Sequence, residues 1–316
     1  MFSELLNIYT PVSKLENYPE EKNNMLKDEL VDTWDIFSTD KESAHRLIKA
    51  ICSEDYAFDS EVFSAPIGIE EFLDGAYLRE HSILKGVSWN EFTADIKSKN
   101  RFHTEHINKD MLGKYCDIVG LTIKKGEHFF RARIVKDEMF GIDKMGAPPE
   151  NLATDGRANA RGISALYLSN DKTTAIHETR AGARDIIAVA TFKLKEDIHV
   201  VDFKAINKLS PFSARITDYT ELAVNKLHLK EIGEEIAKPL RKNDDTLEYI
   251  PTQYISDFIK AQASDAGESK FHGIRYKSTM HSDGLNLAIF DQNLFECINV
   301  EEHIIEAIQY SSSRND

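Results

Sequence analysis

A chain of 316 residues with 41% hydrophobic and 29% charged side chains can bury a sizeable core and has room for two domains. Its formal net charge of -14, held mostly in the first 120 residues and without a basic stripe, makes it a poor candidate for general nucleic-acid binding. No apolar run approaches the ~20 residues of a membrane span, MFSELLNIYTPVSKLENYP lacks the pattern of a secretion signal, and Cys52, Cys116 and Cys297 form no Cys-x-x-Cys pair. The expectation is a cytoplasmic chain with no membrane contact, no metal and no nucleic acid as its main partner.

Residues 1 to about 117 carry helical periodicity. Ala44, Leu47, Ile48 and Ile51 fall at i, i+3, i+4 and i+7 behind Thr39-Asp40, which predicts an amphipathic helix with a capping residue in front. Ser88-Trp89-Asn90-Glu91 has capping-box spacing, followed by Phe92 and Ile96 on one face. Asn108 can cap a further helix through Met111, Leu112 and Tyr115, and Pro66 and Gly68 mark a break.

From Leu121 the period changes to alternation. Residues 121–123 and 128–135 read as a hairpin across Lys124-Lys125-Gly126. In its second strand Arg131 and Arg133 share one face and Phe130, Ala132 and Ile134 the other. Residues 141–161, rich in Gly, Pro, Asn and Asp, read as a long ordered loop of the kind that carries function. Strands at 165–168, 186–194 and 199–203 bracket a helix capped by Asp171 that carries Glu178 between His177 and Arg180. Residues 213–240 read as a helix ending before Pro239, and Pro251 opens another through Ile255, Phe258 and Ile259. Strands at 273–276 and 285–290 flank a polar loop, with Ser278 at the end of the first, and a tail runs from about Val300 to Tyr310. The fold class is α+β, an N-terminal all-α helical bundle over 1–119 followed by a mixed α/β module over 120–316.

The common catalytic signatures are absent. There is no Gly-x4-Gly-Lys phosphate loop, no Gly-x-Gly-x-x-Gly turn and no His-Glu-x-x-His zinc helix. No Gly-x-Ser-x-Gly elbow marks Ser278 as an esterase nucleophile, and His103, His106, His272 and His281 read as surface or hydrogen-bonded histidines.

Three features occur in order: the strand arginine of FFRARIV (129–135), the helix glutamate after a strand ending Leu-Tyr-Leu-Ser (166–169), and the serine of Gly-Ile-Arg-Tyr-Lys-Ser (273–278) before Asn-Leu-Ala-Ile-Phe (286–290). Over about 120 to 300 this pattern resembles the RES domain. The resemblance implies an ADP-ribosyltransferase-like fold and a toxin that degrades NAD, an NAD phosphorylase or NAD glycohydrolase cleaving the nicotinamide–ribose bond. A carboxylate stabilises the ribosyl cation that develops as neutral nicotinamide leaves. That role falls to Glu178. Arg131 would hold the pyrophosphate by charge-assisted bonds, with Arg133 the competing candidate. Tyr167 stands where RES sequences carry a tyrosine on the nicotinamide side, Ser278 would order Arg131, Glu178 or the ribose, and Asn159 and Arg161 would line the entrance. NAD is then substrate and not bound cofactor, and inorganic phosphate is a candidate co-substrate. The resemblance also implies an antitoxin or regulatory partner and a homo-oligomer.

The region around WDIF (34–37) and RLIKAIC (46–52) is similar to the HEPN-like domains that precede some RES modules. Arg101 and His106 have the Arg-x4-His spacing of HEPN ribonucleases, although Phe102 stands where those enzymes usually carry a polar residue. The alternatives are therefore a ribonuclease with an NAD-sensing C-terminal module, a protein ADP-ribosyltransferase, and a non-catalytic module of RES fold.

Overall fold

The computed structural model of the chain describes residues 2–20, 23–206, 208–238 and 246–308. The chain divides into two compact units, Met1–Ile118 with Ala205–Glu231 and Val119–Lys204 with Ile232–Asp316. Residues 205–231, which the sequence reading places in the second part of the chain, thus pack with the first unit. Pro239 and Tyr310, which that reading uses to end a helix and a tail, lie outside the described residues.

In the first unit the helices α1 (Phe2–Leu6), α2 (Leu26–Asp28), α3 (Lys41–Ile51), α4 (Ser53–Phe58), α5 (Glu61–Ser64), α6 (Gly75–His81), α7 (Trp89–Ser98) and α8 (Lys109–Ile118) follow one another. One antiparallel pairing, β1 (Thr10–Pro11) with β2 (Ile67–Gly68), interrupts them, so the unit is helical but not all-α. Asp40 caps α3 by accepting from the Ser43 amide at 2.9 Å, and Ser88 and Glu91 form a reciprocal capping box on α7. Ala44 and Ile48 of α3 are buried, whereas Leu47 and Ile51 are 47% and 52% exposed. The predicted apolar stripe is therefore wider than the row that meets the core.

The second unit is built on one mixed sheet. Its described strands are β3 (Gly120–Ile123), β4 (His128–Ile134), β5 (Leu166–Ser169), β6 (Ile186–Leu194), β7 (Ile198–Asp202), β8 (Gly273–Lys277), β9 (Leu285–Ile289) and β10 (Phe295–Ile304). They lie in the order β10-β6-β4-β5-β9-β8-β7-β3, antiparallel except for β7 beside β8. Helix α9 (Lys172–Thr179) packs on β4, β5 and β6, and α12 (Ile250–Lys260) on β8. Helices α10 (Phe203–Ile206) and α11 (Tyr219–Ala237) carry the chain across the unit boundaries.

Two local expectations change. Glu127 does donate to the Lys124 carbonyl, and Gly126 makes the turn at φ 90, yet β3 pairs with β7 and β4 with β6 and β5. Turn chemistry fixes the reversal and not the partner. Burial decides the rest, since Ile123 belongs to the same apolar cluster as Ile198 and Val200. The tail is an edge strand too: β10 pairs with β6 along nearly its whole length, with a register shift between Cys297 and Asn299.

The sheet is buried on both faces: Ile187 and Val189 of β6, Ile274 of β8 and Ala288 of β9 lie on one, and a second apolar cluster lies on the other. Leu166 and Leu168 of β5, Ala188, Ala190 and Phe192 of β6, and Leu287 and Ile289 of β9 all point to this second face, with Phe129 of β4. Alternation puts Arg131 and Arg133 on the same face as Phe129, opposite Ala190 and Ala188. Between β4 and β5 the only register pair is Phe130 with Ser169, although both strands continue beyond it. The ladder opens at Arg131, and the site lies there.

Candidate active site

Helix α9 exists because Asp171 supplies its missing first-turn partners. The carboxylate accepts from the Thr174 amide at 2.8 Å and from the Thr174 hydroxyl at 2.7 Å. Burial alone would raise the Asp171 carboxyl, but the bonds from Thr174 outweigh it and the pKa lies below the usual value. The helix ends at Arg180, whose φ of 52 and ψ of 36 are left-handed. Glu178 therefore sits in the last turn, where the helix dipole disfavours a carboxylate by about 0.3–1 kcal/mol.

Two donors offset that cost. Ser278 donates from Oγ to Glu178 Oε1 at 2.6 Å, and Asn286 donates from Nδ2 to the same oxygen at 2.7 Å. The Ser278 hydroxyl accepts from the amides of Met280 at 3.1 Å and His281 at 3.2 Å, so its proton is left for the carboxylate. The polar loop after β8 is tied to α9 a second time. Because Thr174 Oγ1 donates to Asp171, it accepts from His281 Nδ1 at 2.8 Å, which places a proton on that nitrogen. His281 also stacks on His177 with ring centroids 5.3 Å apart.

Two adjoining cavities meet at this carboxylate. One, of about 260 Å³, is lined by consecutive residues of the opened ladder, Phe130, Arg131 and Ala132 with Tyr167, Leu168 and Ser169, together with Glu178. The other, of about 220 Å³, takes in Arg157, Arg180, Tyr249, Lys277 and Met280. Tyr167, Glu178, Tyr276 and Asn286 belong to both.

Arg131 is half-buried, and its Nη1 is shut off from solvent with no hydrogen-bond partner. Burial, and then the neighbouring Arg133, push its pKa down to about 10, with Tyr167 pulling the other way. The group remains a cation at neutral pH, and a desolvated, unpaired cation in a cavity is a ready anion site. Arg133 is differently placed. Its Nη1 donates to the Lys144 carbonyl at 2.7 Å, its guanidinium lies 4.2 Å from the Phe140 ring centroid, and it lines neither cavity.

The long loop before β5 is held by Asn159, which is buried. Its Nδ2 faces the carbonyls of Thr154, Ala160 and Ile163 at 2.9, 3.2 and 2.8 Å, and its Oδ1 accepts from Tyr167 at 2.6 Å. Gln253 of α12 donates to the carbonyls of Gly156 and Asn159, both at 3.0 Å. Burial pushes the Tyr167 phenol up to about 12, so it stays a donor at neutral pH. Asn159 thus braces Tyr167 and does not line either cavity. Arg161 is exposed, donates its backbone amide to Asp155, and is also outside the lining.

The site gathers Glu178, Ser278, Arg131 and Tyr167, with Asn286 and Arg157 added. Arg157 donates to the Glu235 and Ile236 carbonyls at the end of α11. The signal for Asn286 was a polar residue inside the apolar run Leu285–Ile289, which a buried strand tolerates only when that residue is bonded. Arg101 and His106 lie outside any helix or strand, between α7 and α8, and Arg101 is exposed. A further cavity of about 760 Å³ in the first unit includes none of the candidate site residues, nor Arg101 or His106.

The family model described as RES domain matches residues 130–312, the stretch that supplies every residue of both cavities. The chain belongs to the RES domain family. Membership of the RES domain family supports an enzymatic, NAD-related toxin function in general terms. No curated protein and no solved structure matches the chain. Among the described residues no helix is long and apolar enough to cross a membrane, and no group of three or more His, Cys, Asp or Glu side chains could hold a metal ion.

Proposed function

We propose that this RES protein cleaves the bond between nicotinamide and ribose in NAD, with Glu178 as the catalytic carboxylate. The observation that carries the reading is an oriented carboxylate and a guanidinium with a solvent-shielded, unpartnered Nη1 lining one cavity. As the bond breaks, its electron pair goes to the pyridinium nitrogen and nicotinamide leaves neutral, without a proton donor. The positive charge that develops on the ribose is what Glu178 stabilises. Arg131 binds the diphosphate, Tyr167 lies beside the departing base, and Ser278 positions the carboxylate. Arg133, Asn159 and Arg161 act on the surrounding loops.

The acceptor fixes the product. A phosphate oxygen bonding to the ribosyl carbon gives ADP-ribose 1''-phosphate, and water gives ADP-ribose with loss of a proton. Phosphate is the acceptor favoured here, since the second cavity carries Arg157, Arg180 and Lys277 on the other side of Glu178. We further propose that the catalytic part lies within residues 120–316 in an ADP-ribosyltransferase-like arrangement, and that 1–119, with 205–231 packed among them, regulate or assemble it. Depletion of NAD would make the protein a toxin or antiviral effector in need of an antitoxin or regulatory partner. No observation favours the ribonuclease reading of Arg101 and His106.

The test is incubation of the purified full chain with NAD, with and without inorganic phosphate, and mass identification of the products. Phosphate-dependent loss of NAD with appearance of the phosphorylated sugar is expected. NAD left intact in both conditions overturns the reading.

A further inference from the structure

Both hydrogen bonds that Glu178 receives within the chain fall on one of its two oxygens. Ser278 Oγ and Asn286 Nδ2 each donate to Oε1, at 2.6 and 2.7 Å. A carboxylate oxygen that accepts two short bonds is fully engaged, so the substrate must be met by Oε2.

The Asn286 amide has a fixed polarity. Glu178 can only accept, so the NH2 group must face it and Oδ1 must face away. There Oδ1 accepts from Ser169 Oγ at 2.8 Å. Ser169 and Asn286 are both buried and stand directly opposite each other in the β5–β9 ladder. On its other side Asn286 is opposite Tyr276 of β8, and Ser169 is opposite Phe130 of β4. One cross-strand row, from Phe130 through Ser169 and Asn286 to Tyr276, thus runs beneath the carboxylate. A row in the middle of a sheet has little freedom to shift, unlike the loop that supplies Ser278.

We infer that Asn286, held by Ser169, is a positioning residue that fixes the rotation of the Glu178 carboxylate and presents Oε2 to the ribose. The inference rests on the NAD-cleaving reading above. The charged and titratable groups around Glu178 are Arg131 from β4, Tyr167 from β5, Tyr276 from β8, His177 and Arg180 on either side of it at the end of α9, and Arg157, Tyr249 and Lys277 across the second cavity.

The experiment compares the parent chain with Asn286→Ala, Asn286→Asp and Ser169→Ala, measuring kcat and KM for NAD between pH 5 and 9 and the thermal midpoint of each. Asn286→Ala should lower kcat about tenfold to a hundredfold with little change in KM. Ser169→Ala should give a smaller loss in the same direction. Asn286→Asp places a second carboxyl within hydrogen-bond reach of the first, and the two cannot both ionise freely. The pair then holds a proton, and activity rises as pH falls, a limb the parent lacks. If Asn286→Ala does not fold, the near-isosteric Asn286→Asp carries the test. An Asn286→Asp variant with the parent's kcat and pH profile overturns the positioning role.

A parent chain that leaves NAD intact rejects the NAD reading instead. The inference then stands or falls on carbon-13 NMR titration of the Glu178 carboxyl, identified by its loss in Glu178→Gln. A midpoint raised by Asn286→Asp supports it, and an unmoved midpoint overturns it.

Discussion

The Ser278 hydroxyl lies 2.6 Å from Glu178 Oε1 and receives two backbone amides on its other side. The serine is thereby a donor to the glutamate, and the carboxylate is stabilised where the end of a helix would otherwise repel it. Ser278→Ala should lower kcat about tenfold to a hundredfold and cost about 1–3 kcal/mol of stability, because two amides lose their acceptor. Steady-state kinetics and a denaturant titration read both effects, and unchanged values in both would remove the serine from the site.

Glu178→Gln should reduce NAD turnover by about a hundredfold to a thousandfold while leaving the fold intact. NAD consumption and growth arrest on expression are the readouts, with circular dichroism as the control on folding. A variant that still empties the NAD pool would falsify the assignment of Glu178.

Arg131 and Arg133 should separate cleanly. Arg131→Met removes a half-buried cation whose Nη1 has no partner, so KM for NAD should rise about tenfold or more while the thermal midpoint at pH 7 stays level or rises. Arg133→Ala removes the bond to Lys144 and the contact with Phe140, so the midpoint should fall while KM changes little. The sign of the pH effect follows from the Arg131 pKa, which is lowered to about 10. The unfolded chain holds the proton more tightly, so this group's penalty is constant below about pH 10 and is relieved as pH rises from there toward the ordinary arginine value. Equal rises in KM for the two variants would contradict the choice of Arg131.

Gly156→Ala tests the loop that braces Tyr167. An added Cβ would stand 2.5 Å from the Tyr167 hydroxyl and 2.6 Å from Asn159 Oδ1, closer than real contacts allow. The pair must give way, at about 1–3 kcal/mol of stability, and Tyr167 loses its place in both cavities. A lower thermal midpoint together with a raised KM is expected, and a variant matching the parent in both would show that the brace is slack.

Much of the site was legible before any coordinates. Alternation in 129–135 put Arg131 and Arg133 on one face, and Asp171 announced the helix that carries Glu178. What could not be read is what depends on partners distant in the chain. The turn at Gly126 suggested a hairpin, but strand pairing is settled by burial across the whole sheet. The choice between Arg131 and Arg133 turned on a loop that engages only the second. Asn286 was hidden because its polarity has meaning only once Ser169 and Glu178 stand on either side of it.

The discontinuity of the first unit bears on how the protein can be dissected. Asn225 accepts from the Ile83 amide and donates to the His81 carbonyl, each at 2.7 Å, Lys114 donates to Glu221 at 2.6 Å, and Leu222 and Leu229 are fully buried. A deletion that stops at residue 118 would strip these contacts from α6 and α8, leaving apolar surface bare and amides unsatisfied. Insolubility of such a fragment would report a missing piece of its own interior, and loss-of-function mapping by simple truncation would misattribute the defect to the part of the chain that carries the chemistry.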